Sequence, residues 1–130
     1  MEAQVIWSDD GQRKLVREAC DNPCPIERGM RLIGGKWKGS ILWHLRDEPV
    51  RFNDLDRMLS GASKKMLAQR LKEMEADGLL VRHVRDVRPV AVSYEITDFG
   101  RSALSVLSLL KSWSEENTHS QLLDAEPGEV

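Results

Sequence analysis

The sequence predicts one mainly α-helical domain with a small β-hairpin, an α+β fold class, and three observations support this. Apolar residues recur at the helical period of about 3.6 between Pro25 and Ala76. From Leu80 to Thr97 the period changes to about 2, which is typical of strands. A long apolar segment from Asp98 to about Glu116 returns to the helical pattern. Because 130 residues are a usual length for a single domain, one core should hold these elements.

The N-terminal segment, residues 1 to 23, is predicted to be a helical extension. Between Gln12 and Ala19, Leu15 and Ala19 are apolar among charged neighbours, a pattern that favours a short amphipathic helix. Asn22-Pro23 should end this helix. The main domain is then expected over residues 24 to 116, and residues 117 to 130 form an acidic tail that is expected to fold little.

Two helices are predicted next, on either side of Gly34-Gly35. The first should begin at Cys24-Pro25, because proline suits the first helical position, and it should end near Ile33. The second should extend from Lys36 to Arg46, where apolar side chains recur at helical spacing. Pro49 should stop it, because proline cannot continue a helix.

A short helix is predicted after these two, with Asn53 as its N-cap. Its apolar residues Leu55, Met58 and Leu59 should face the core. Ser60-Gly61-Ala62 then forms a turn, so that this helix and the following one make a helix-turn-helix pair.

The second helix of the pair is predicted from Lys64 to Ala76. Ser63 can cap its beginning, and Gly78 suits the left-handed residue that closes it. At about 100° per residue, its apolar side chains Leu67, Leu71 and Met74 share one face. The following residues point away from that face: Lys65, Ala68, Gln69 and Lys72.

An antiparallel hairpin is predicted from the alternating segments Leu80 to Arg85 and Val92 to Thr97, with Asp86 to Pro89 at its tip. This hairpin contains three arginines: Arg82, Arg85 and Arg88. Helix, turn, helix and hairpin in this order are typical of winged helix-turn-helix domains, in which the second helix enters the major groove of DNA.

The outward face of the second helix, together with the hairpin, is the predicted DNA-binding surface. Lys65 and Gln69 lie one turn apart, and their polar groups suit guanine and adenine respectively. The complete predicted set is Ser63, Lys64, Lys65, Ala68, Gln69, Arg70, Lys72, Arg82, Arg85 and Arg88. If about six to eight of these cations neutralise phosphates, log affinity should fall with log salt at a slope of about −5 to −7. The alternative interpretation is that the charged residues of this helix form an ordinary solvent-exposed face with no binding role.

The charges along the chain agree with a polyanion-binding centre. Residues 24 to 97 carry 14 basic and 10 acidic side chains, whereas the segments before and after them are acidic and the whole chain has a net charge of −2. A basic centre of this kind is one electrostatic mark of nucleic-acid binding.

Six short motifs follow one another between residues 24 and 113. They are Cys24-Pro25-Ile26-Glu27, Leu32-Ile33-Gly34-Gly35-Lys36-Trp37, Arg51-Phe52-Asn53-Asp54-Leu55, Ser63-Lys64-Lys65-Met66-Leu67, Leu71-Lys72-Glu73-Met74-Glu75-Ala76-Asp77-Gly78-Leu79 and Tyr94-Glu95-Ile96-Thr97-Asp98-Phe99-Gly100. In this order they resemble the HxlR-type winged-helix transcriptional regulators. The resemblance implies a homodimeric prokaryotic regulator that binds an inverted repeat. The hairpin departs from the family pattern, because Arg88-Pro89-Val90-Ala91 replaces a double proline followed by a basic residue.

A homodimer is also expected from the last predicted helix. A helix that is apolar on two faces must be buried on two sides, and a partner subunit is the simplest cover for the second side. The segment from Gln12 to Ala19 should pack nearby, as the resemblance also suggests. The predicted interface residues are Leu15, Ala19, Ala103, Leu107, Leu110 and Trp113. The alternative is that the whole helix belongs to the intramolecular core.

Cys24 is the candidate sensor residue. It precedes Pro25 at the start of a helix, where the helix dipole and Arg28 favour the thiolate and Glu27 opposes it. Several members of the family that this chain resembles respond to oxidants or electrophiles through a cysteine at this position. The resemblance therefore implies a redox or electrophile switch, with Cys20 as the candidate resolving thiol. The alternative is a small buried apolar residue.

Other functional classes lack their motifs in this sequence. The chain has no glycine-rich phosphate loop, no Gly-x-Ser-x-Gly elbow and no carboxylate pair in an apolar stretch, so we expect no enzyme and no cofactor. It also lacks the paired Cys-x-x-Cys or His-x-x-x-His spacing of a metal site. A winged-helix module that binds protein or RNA is the alternative function, and the outward Lys65 and Gln69 argue against a protein surface.

The expected location is the cytoplasm. No apolar run approaches the roughly 18 residues of a membrane span, and the first residues do not resemble a signal peptide. Two cysteines are too few for a secreted disulfide framework. The expected partners are therefore double-stranded DNA and a second copy of the chain, with no membrane, and the sequence identifies no small-molecule effector.

Overall fold

The computed structural model describes the backbone of residues 4–7 and 13–16, together with residues 24–86, 88 and 90–117. The chain separates into two units, residues 1–31 and residues 32–130. The first unit contains the antiparallel strands β1 (Gln4–Trp7) and β2 (Arg13–Val16). Helix α1 (Pro25–Ile33) begins in the first unit and ends in the second.

The second unit carries the remaining elements in a mainly helical order. They are α2 (Lys38–His44), β3 (Val50–Arg51), α3 (Phe52–Met58), α4 (Lys64–Ala76), β4 (Leu80–Arg85), β5 (Ala91–Ile96), α5 (Asp98–Ser102) and α6 (Leu104–Asn117). This composition confirms the predicted α+β class with a small hairpin. The bounds of α1 and α4 agree with the predicted ones.

The prediction of a helix from Gln12 to Ala19 is wrong for Arg13–Val16, which form strand β2. Strand β2 pairs with β1 in a register that places Gln4 opposite Val16 and Trp7 opposite Arg13. Two apolar residues within one helical turn do not distinguish a helix from a strand. A signal for the hairpin was present in Asp10-Gly11, a dipeptide typical of tight β-turns, which lies outside the described residues.

The three-stranded sheet has the order β3-β5-β4, and both pairs of strands are antiparallel. The hairpin of β4 and β5, hereafter the wing, confirms the predicted hairpin, with Leu80 opposite Ile96 and Arg85 opposite Ala91. Strand β3 was not predicted. It has only two residues, Val50 and Arg51, which is too short for any alternation to be visible.

Helix α2 is shorter than predicted at both ends. Gly35 and Trp37 have positive φ angles of 84° and 80°, and this left-handed backbone delays the start of the helix to Lys38. The helix ends at His44, before the predicted Arg46.

The predicted N-cap of α3 is wrong. The capping residue is Arg51, with extended backbone and no side-chain hydrogen bond to the helix, and Asn53 lies inside the first turn. The reason is that α3 follows directly from strand β3, so the last strand residue also serves as the cap. Leu55 and Leu59 are buried as predicted, whereas Met58 is exposed.

The single C-terminal helix of the prediction is divided into α5 and α6 at Ala103. The amide of Ala103 donates to the carbonyl of Gly100 at 3.0 Å, three residues back, which tightens the backbone at the junction. Helix α5 is also held at its start, where Thr97 Oγ1 accepts from the amide of Gly100 at 3.0 Å and donates to the carbonyl of Gly78 at 2.6 Å.

The core of the second unit lies between α2, α3, α4 and the first residues of the wing. Its fully buried side chains are Ile41, Leu42, Leu45, Leu55, Leu67, Leu71, Met74, Leu79 and Leu80. Helix α6 joins this core through Leu107, which packs beside Gly39 of α2. Because α4 has its whole apolar face in the core, its opposite face is held outward.

Candidate nucleic-acid interface

Helix α4 is fixed at both ends by short-range hydrogen bonds. At its start, the Ser63 hydroxyl accepts from the amide of Met66 at 3.0 Å, which confirms the predicted cap. At its end, Gly78 has a φ of +79°, and the following amide of Leu79 donates to the carbonyl of Met74 at 3.0 Å. This is the left-handed closure predicted from the glycine.

The outward face of α4 carries the predicted polar residues. Leu67, Leu71 and Met74 are fully buried on the inner side of the helix. The residues Ser63, Lys64, Lys65, Ala68, Gln69 and Lys72 are all exposed. The structure therefore brings three lysines, one glutamine amide and two small residues to a single open surface.

Arg70 differs from the other predicted cations, because it is half-buried and has internal partners. Its Nε donates to the carbonyl of Lys36 at 3.3 Å, and its guanidinium lies 3.1 Å from Glu73 Oε1. Through these bonds the Arg70 side chain links α4 to the loop before α2. We therefore leave Arg70 out of the proposed DNA-binding surface.

The Glu73 carboxylate is the centre of a small network on α4. Besides Arg70, it accepts from Gln69 Nε2 at 3.3 Å and lies 3.6 Å from Lys38 Nζ. Partial burial raises the pKa of Glu73, but the hydrogen bond from Gln69 and the charges of Arg70 and Lys38 outweigh that effect and place the pKa below its ordinary value. Glu73 therefore stays ionised and orients the amide of Gln69. The sequence did not single out Glu73.

The wing carries the three predicted arginines on exposed positions. Arg82 is the register partner of Tyr94, and Arg85 is the register partner of Ala91 near the tip. Arg88 is exposed in the tip itself. A fourth arginine, Arg51 on β3, lies on the neighbouring strand pair opposite Ser93. The prediction missed Arg51 because β3 itself was missed.

The predicted dimer residues fall into three groups. Leu110 and Trp113 are exposed on α6, whereas Leu107 is buried in the chain's own core and Ala103 is packed against that core. Leu15 lies on β2, where only the backbone is described, and Ala19 lies outside the described residues. We leave Leu107 out of the proposed interface, because its side chain is already covered.

Exposed apolar residues of α6 form an apolar stripe that extends the predicted pair. Its members are Val106, Leu109, Leu110 and Trp113, with Leu109 exposed to 72% and Trp113 to 62%. At about 100° per residue these four side chains fall within an arc of about 100°, which is one continuous face of the helix. Contiguous exposed apolar residues mark interaction sites.

Cys24 is half-buried and lies directly before α1. Its carbonyl accepts from the amide of Arg28 at 2.9 Å, which closes the first turn of the helix. Cys20, the predicted resolving thiol, lies outside the described residues. The part of the chain that the structure describes contains no cluster of metal-ligating side chains and no helix long and apolar enough to cross a membrane.

Comparison with known families and proteins finds transcriptional regulators. The family model described as HxlR-like helix-turn-helix matches residues 32–122. The HTH-type transcriptional regulator YybR of Bacillus subtilis is 39% identical over 94 residues, which cover 72% of this chain and 75% of that protein. The regulatory protein MalR of Fusobacterium mortiferum is 43% identical over 95 residues, which cover 72% of this chain and 90% of that protein.

Solved structures of similar proteins include two redox-related regulators. The oxidised form of the redox regulator HypR superposes with a TM-score of 0.70 at 38% identity, and the match covers 74% of this chain and 99% of that one. The reduced form of the transcriptional regulator YodB from Bacillus subtilis superposes with a TM-score of 0.65 at 34% identity, with coverages of 75% and 96%. A diamide-treated form of YodB is also similar, with a TM-score of 0.61.

Proposed function

This chain belongs to the HxlR-like helix-turn-helix family of transcriptional regulators, and from that premise we propose that it acts in the cytoplasm as a homodimer that binds an inverted-repeat operator. The observation that carries the proposal is the outward face of α4. This face exposes lysines and the amide of Gln69, and the wing exposes further arginines. A helix of this kind, held by its inner face and flanked by a basic hairpin, fits the major groove.

The proposed base contacts come from Lys65 and Gln69. They are one helical turn apart in the first half of α4, where side chains of a recognition helix reach base edges. A lysine ammonium suits the acceptors of guanine, and a glutamine amide suits the donor and acceptor of adenine. Ser63 and Ala68 line the same surface, where small side chains allow close approach of the bases.

The proposed phosphate contacts come from the cations around these two residues. Lys64 and Lys72 lie at opposite ends of the outward face, and the wing contributes Arg82, Arg85 and Arg88. Contacts to phosphates set the position of the protein on DNA and carry no sequence information. They are expected to make the affinity fall steeply with salt, at about 0.9 powers of salt concentration for each contact.

The proposed homodimer uses the apolar stripe of α6. The helix is covered on one side by its own core through Leu107, and the stripe leaves the other side apolar and exposed. A second copy of the chain offers an identical stripe, so a two-fold axis would pair each apolar face with its equivalent. In such a dimer the two α4 helices are expected to lie about one DNA turn apart, as an inverted repeat requires.

Fluorescence anisotropy tests the DNA-binding proposal. The full-length, reduced protein is titrated into DNA from upstream of its own gene, into scrambled DNA of equal length, and into the corresponding RNA duplex. We expect binding to the native DNA to be at least about a hundredfold tighter than to the other two. Equal affinity for all three would contradict a sequence-specific DNA regulator. Tighter binding to the RNA would point to the alternative function.

A matched pair of lysine variants locates the binding surface. Lys65→Gln should weaken binding to the native DNA, because the proposed guanine contact is lost. Lys111→Gln removes an equivalent exposed charge from α6, where the ammonium is paired with Glu115, and should leave binding unchanged. Equal losses in both variants would indicate a general charge effect and would contradict the placement of α4 in the groove.

We further propose that oxidation of Cys24 controls DNA binding. The similarity to the redox regulator HypR and to YodB, which has been solved in a diamide-treated form, supports this proposal. The thiols of Cys24 and Cys20 would lose two protons and two electrons to diamide, which is reduced to the hydrazine form, and a disulfide would join the two sulfur atoms. The test compares DNA affinity before and after diamide treatment in the wild type, Cys24→Ser and Cys20→Ser.

We expect diamide to change the DNA affinity of the wild type and to leave Cys24→Ser unchanged. A response that persists in Cys20→Ser would show that another partner thiol, such as Cys24 of a second subunit, completes the disulfide. Equal DNA affinity before and after treatment of the wild type would contradict control by either cysteine.

A further inference from the structure

A pocket of about 610 Å³ lies between the beginning of α3 and one side of the wing. We call it the wing pocket, and the lining residues that matter here are Arg51, Phe52, Asn53, Arg82, Arg85 and Tyr94. They come from β3, α3, β4 and β5, so the pocket exists only when the three-stranded sheet is assembled. All of them belong to the second unit of the chain.

The wing pocket concentrates positive charge. Three arginines line it, and no Asp or Glu is found among the described residues of its lining. Three like charges in one small volume repel one another unless an anion lies between them. A negatively charged group in the pocket would therefore be stabilised by attraction to the three guanidinium groups.

Four of the other arginines in residues 32–117 have side-chain partners, and this makes the charge of the wing pocket distinctive. Arg46, Arg57, Arg70 and Arg101 each bond to a carboxylate or a backbone carbonyl. Within the described part of the chain, no side-chain hydrogen bond or ion pair engages Arg51, Arg82 or Arg85. The three arginines that line the wing pocket thus have no internal side-chain partner among the described residues, a property that they share with Arg88 at the tip of the wing.

The remaining lining residues complete a site for an oxyanion. Guanidinium groups bind carboxylate and phosphate through paired N–H donors, and the Asn53 amide can add a further donor. The ring of Tyr94 is buried and that of Phe52 is half-buried, so the pocket has an aromatic wall behind its charged rim. An oxyanion with an apolar body fits this combination.

We propose that the wing pocket is an oxyanion-binding site, centred on Arg51 and Arg82, for a phosphate or carboxylate group. The group has two chemical sources, a backbone phosphate of bound DNA or a small organic anion. The first source rests on the DNA-binding function proposed above, and the second does not. Arg51 becomes a binding residue in either case, although it lies outside both α4 and the wing.

The first experiment titrates the full-length protein, without DNA, with benzoate and with inorganic phosphate. The side-chain Nε–H signals of the arginines are followed by ¹⁵N nuclear magnetic resonance. Saturable shifts are expected for Arg51, Arg82 and Arg85. Arg57 serves as the internal control, because it lies on α3 outside the pocket and is paired with Asp54. Equal shifts of Arg57 would indicate binding to any exposed arginine and would overturn the proposal.

Substitutions sharpen this first experiment. Arg51→Gln and Arg82→Gln should each weaken anion binding by about tenfold or more, the usual effect of losing a charge-assisted hydrogen bond. Arg57→Gln should leave it unchanged. Because the side chains of Arg51 and Arg82 are exposed and have no internal partner among the described residues, both variants should melt at the wild-type temperature. Using two independent variants keeps the test decisive if one of them does not fold.

The second experiment distinguishes the two sources of the oxyanion. If the pocket holds a DNA phosphate, Arg51→Gln should lower affinity for native and scrambled DNA by the same factor and reduce the salt slope by about 0.9 for each pocket. Benzoate should then compete with DNA. If the pocket serves a small anion only, Arg51→Gln should bind DNA like the wild type in the absence of benzoate.

The two experiments also separate this proposal from the proposed function. A wild-type protein that fails to bind DNA but shifts its arginine signals with benzoate would contradict the DNA-binding function and support the wing pocket. The wing pocket is overturned if neither anion shifts Arg51 or Arg82 and if Arg51→Gln binds DNA no differently from Arg57→Gln.

Discussion

At the scale of single residues, Glu73 determines how Gln69 can be used. A carboxylate only accepts hydrogen bonds, so the nitrogen of the Gln69 amide must face Glu73 and its oxygen must face away. Arg70 and Lys38 hold the carboxylate in place from the other sides. The amide that is proposed to contact the DNA is therefore oriented before binding, which should lower the entropic cost of recognition.

The first prediction concerns this orientation. Gln69→Ala should cost about 1–3 kcal/mol of discrimination at one base pair of each half-site, the usual worth of a bidentate base contact. Glu73→Ala should lose discrimination at the same base pair but to a smaller extent, since the amide remains without its orientation. The measurement is competition anisotropy against operators that are substituted at one base pair at a time.

The control for this prediction is Glu75→Ala, which removes an exposed carboxylate from the same helix. Both glutamate variants should bind DNA more tightly overall, because each removes a negative charge near the phosphates. If Glu73→Ala and Glu75→Ala had the same base preferences as the wild type, Glu73 would have no orienting role.

At the scale of elements, the start of α4 depends on one hydroxyl. Ser63 Oγ is the side-chain acceptor at the N-terminus of α4, where it receives the amide of Met66. Ser63→Ala should destabilise the protein by about 1 kcal/mol, whereas Ser63→Asn should retain most of the stability, because asparagine caps about as well as serine. Urea unfolding at a fixed protomer concentration measures both. Equal losses of stability in Ser63→Ala and Ser63→Asn would mean that the hydrogen bond of the cap contributes nothing to the stability of the protein.

The position of α5 depends on the absence of a side chain at Gly100. A Cβ at this position would overlap the carbonyl oxygen of Leu79 and lie 2.9 Å from Ile96 Cγ1. The backbone oxygen cannot move aside without disturbing the hydrogen bond that it accepts from the amide of Thr97 at 3.1 Å. Close packing at Gly100 thus joins α5 to the beginning of the wing.

The matching prediction is that Gly100→Ala destabilises the protein by about 3 kcal/mol or more, at the upper end of overpacking effects. Gly29→Ala is the control, because a Cβ there meets no atom within 4 Å and the residue lies inside α1. It should stabilise the helix by about 0.5–1 kcal/mol. Urea unfolding of the two variants checks both signs, and a harmless Gly100→Ala would contradict the packing argument.

At the scale of the whole molecule, the apolar stripe of α6 and the outward face of α4 are the two large surfaces for which functions have been proposed. The stripe carries no charge, whereas α4 and the wing carry lysines and arginines. Dimerisation and DNA binding are therefore expected to respond to different substitutions. Under the proposed function they are nevertheless expected to be coupled, because only a dimer would place two α4 helices on one inverted repeat.

A charge within the stripe tests this coupling. Leu110→Glu should raise the dimer dissociation constant by at least about thirtyfold, since disrupting a central apolar residue of an interface costs about 2 kcal/mol or more. Binding to a full operator should weaken, while binding to a single half-site should not change. Ser108→Glu adds the same charge at an exposed position on the opposite side of α6. It should change neither the dimer dissociation constant nor the affinity for the full operator. Sedimentation velocity and anisotropy measure these effects, and a wild-type monomer would contradict the dimer.

Local signals explain why α4 and the wing could be predicted from the sequence. The bounds of α4 follow from Ser63 and Gly78, because a cap and a left-handed glycine act within one helical turn. The wing follows from the period of about 2 in the sequences of its two strands, which is a property of each strand taken separately. The exposed residues of α4 follow from the helical period of about 3.6.

The remaining features depend on residues that are distant in the sequence. Strand β3 has two residues and exists only because β5 pairs with it. Arg70 was predicted to contact phosphate, but the carbonyl of Lys36 lies beside it. Leu107 was predicted to lie at the dimer interface, but the core beside Gly39 takes its side chain. In each case a partner brought in by folding decides the role of the residue.

The sequence by itself therefore determined the fold class, helix α4 with its caps and the basic hairpin, because each arises from interactions within a few residues. Only the tertiary structure decided which arginines have internal partners, which side of α6 is covered and how Glu73 orients Gln69. It also decided that Arg51, Arg82 and Arg85 share one pocket. Such pairings depend on distances between elements, which local periodicity does not contain.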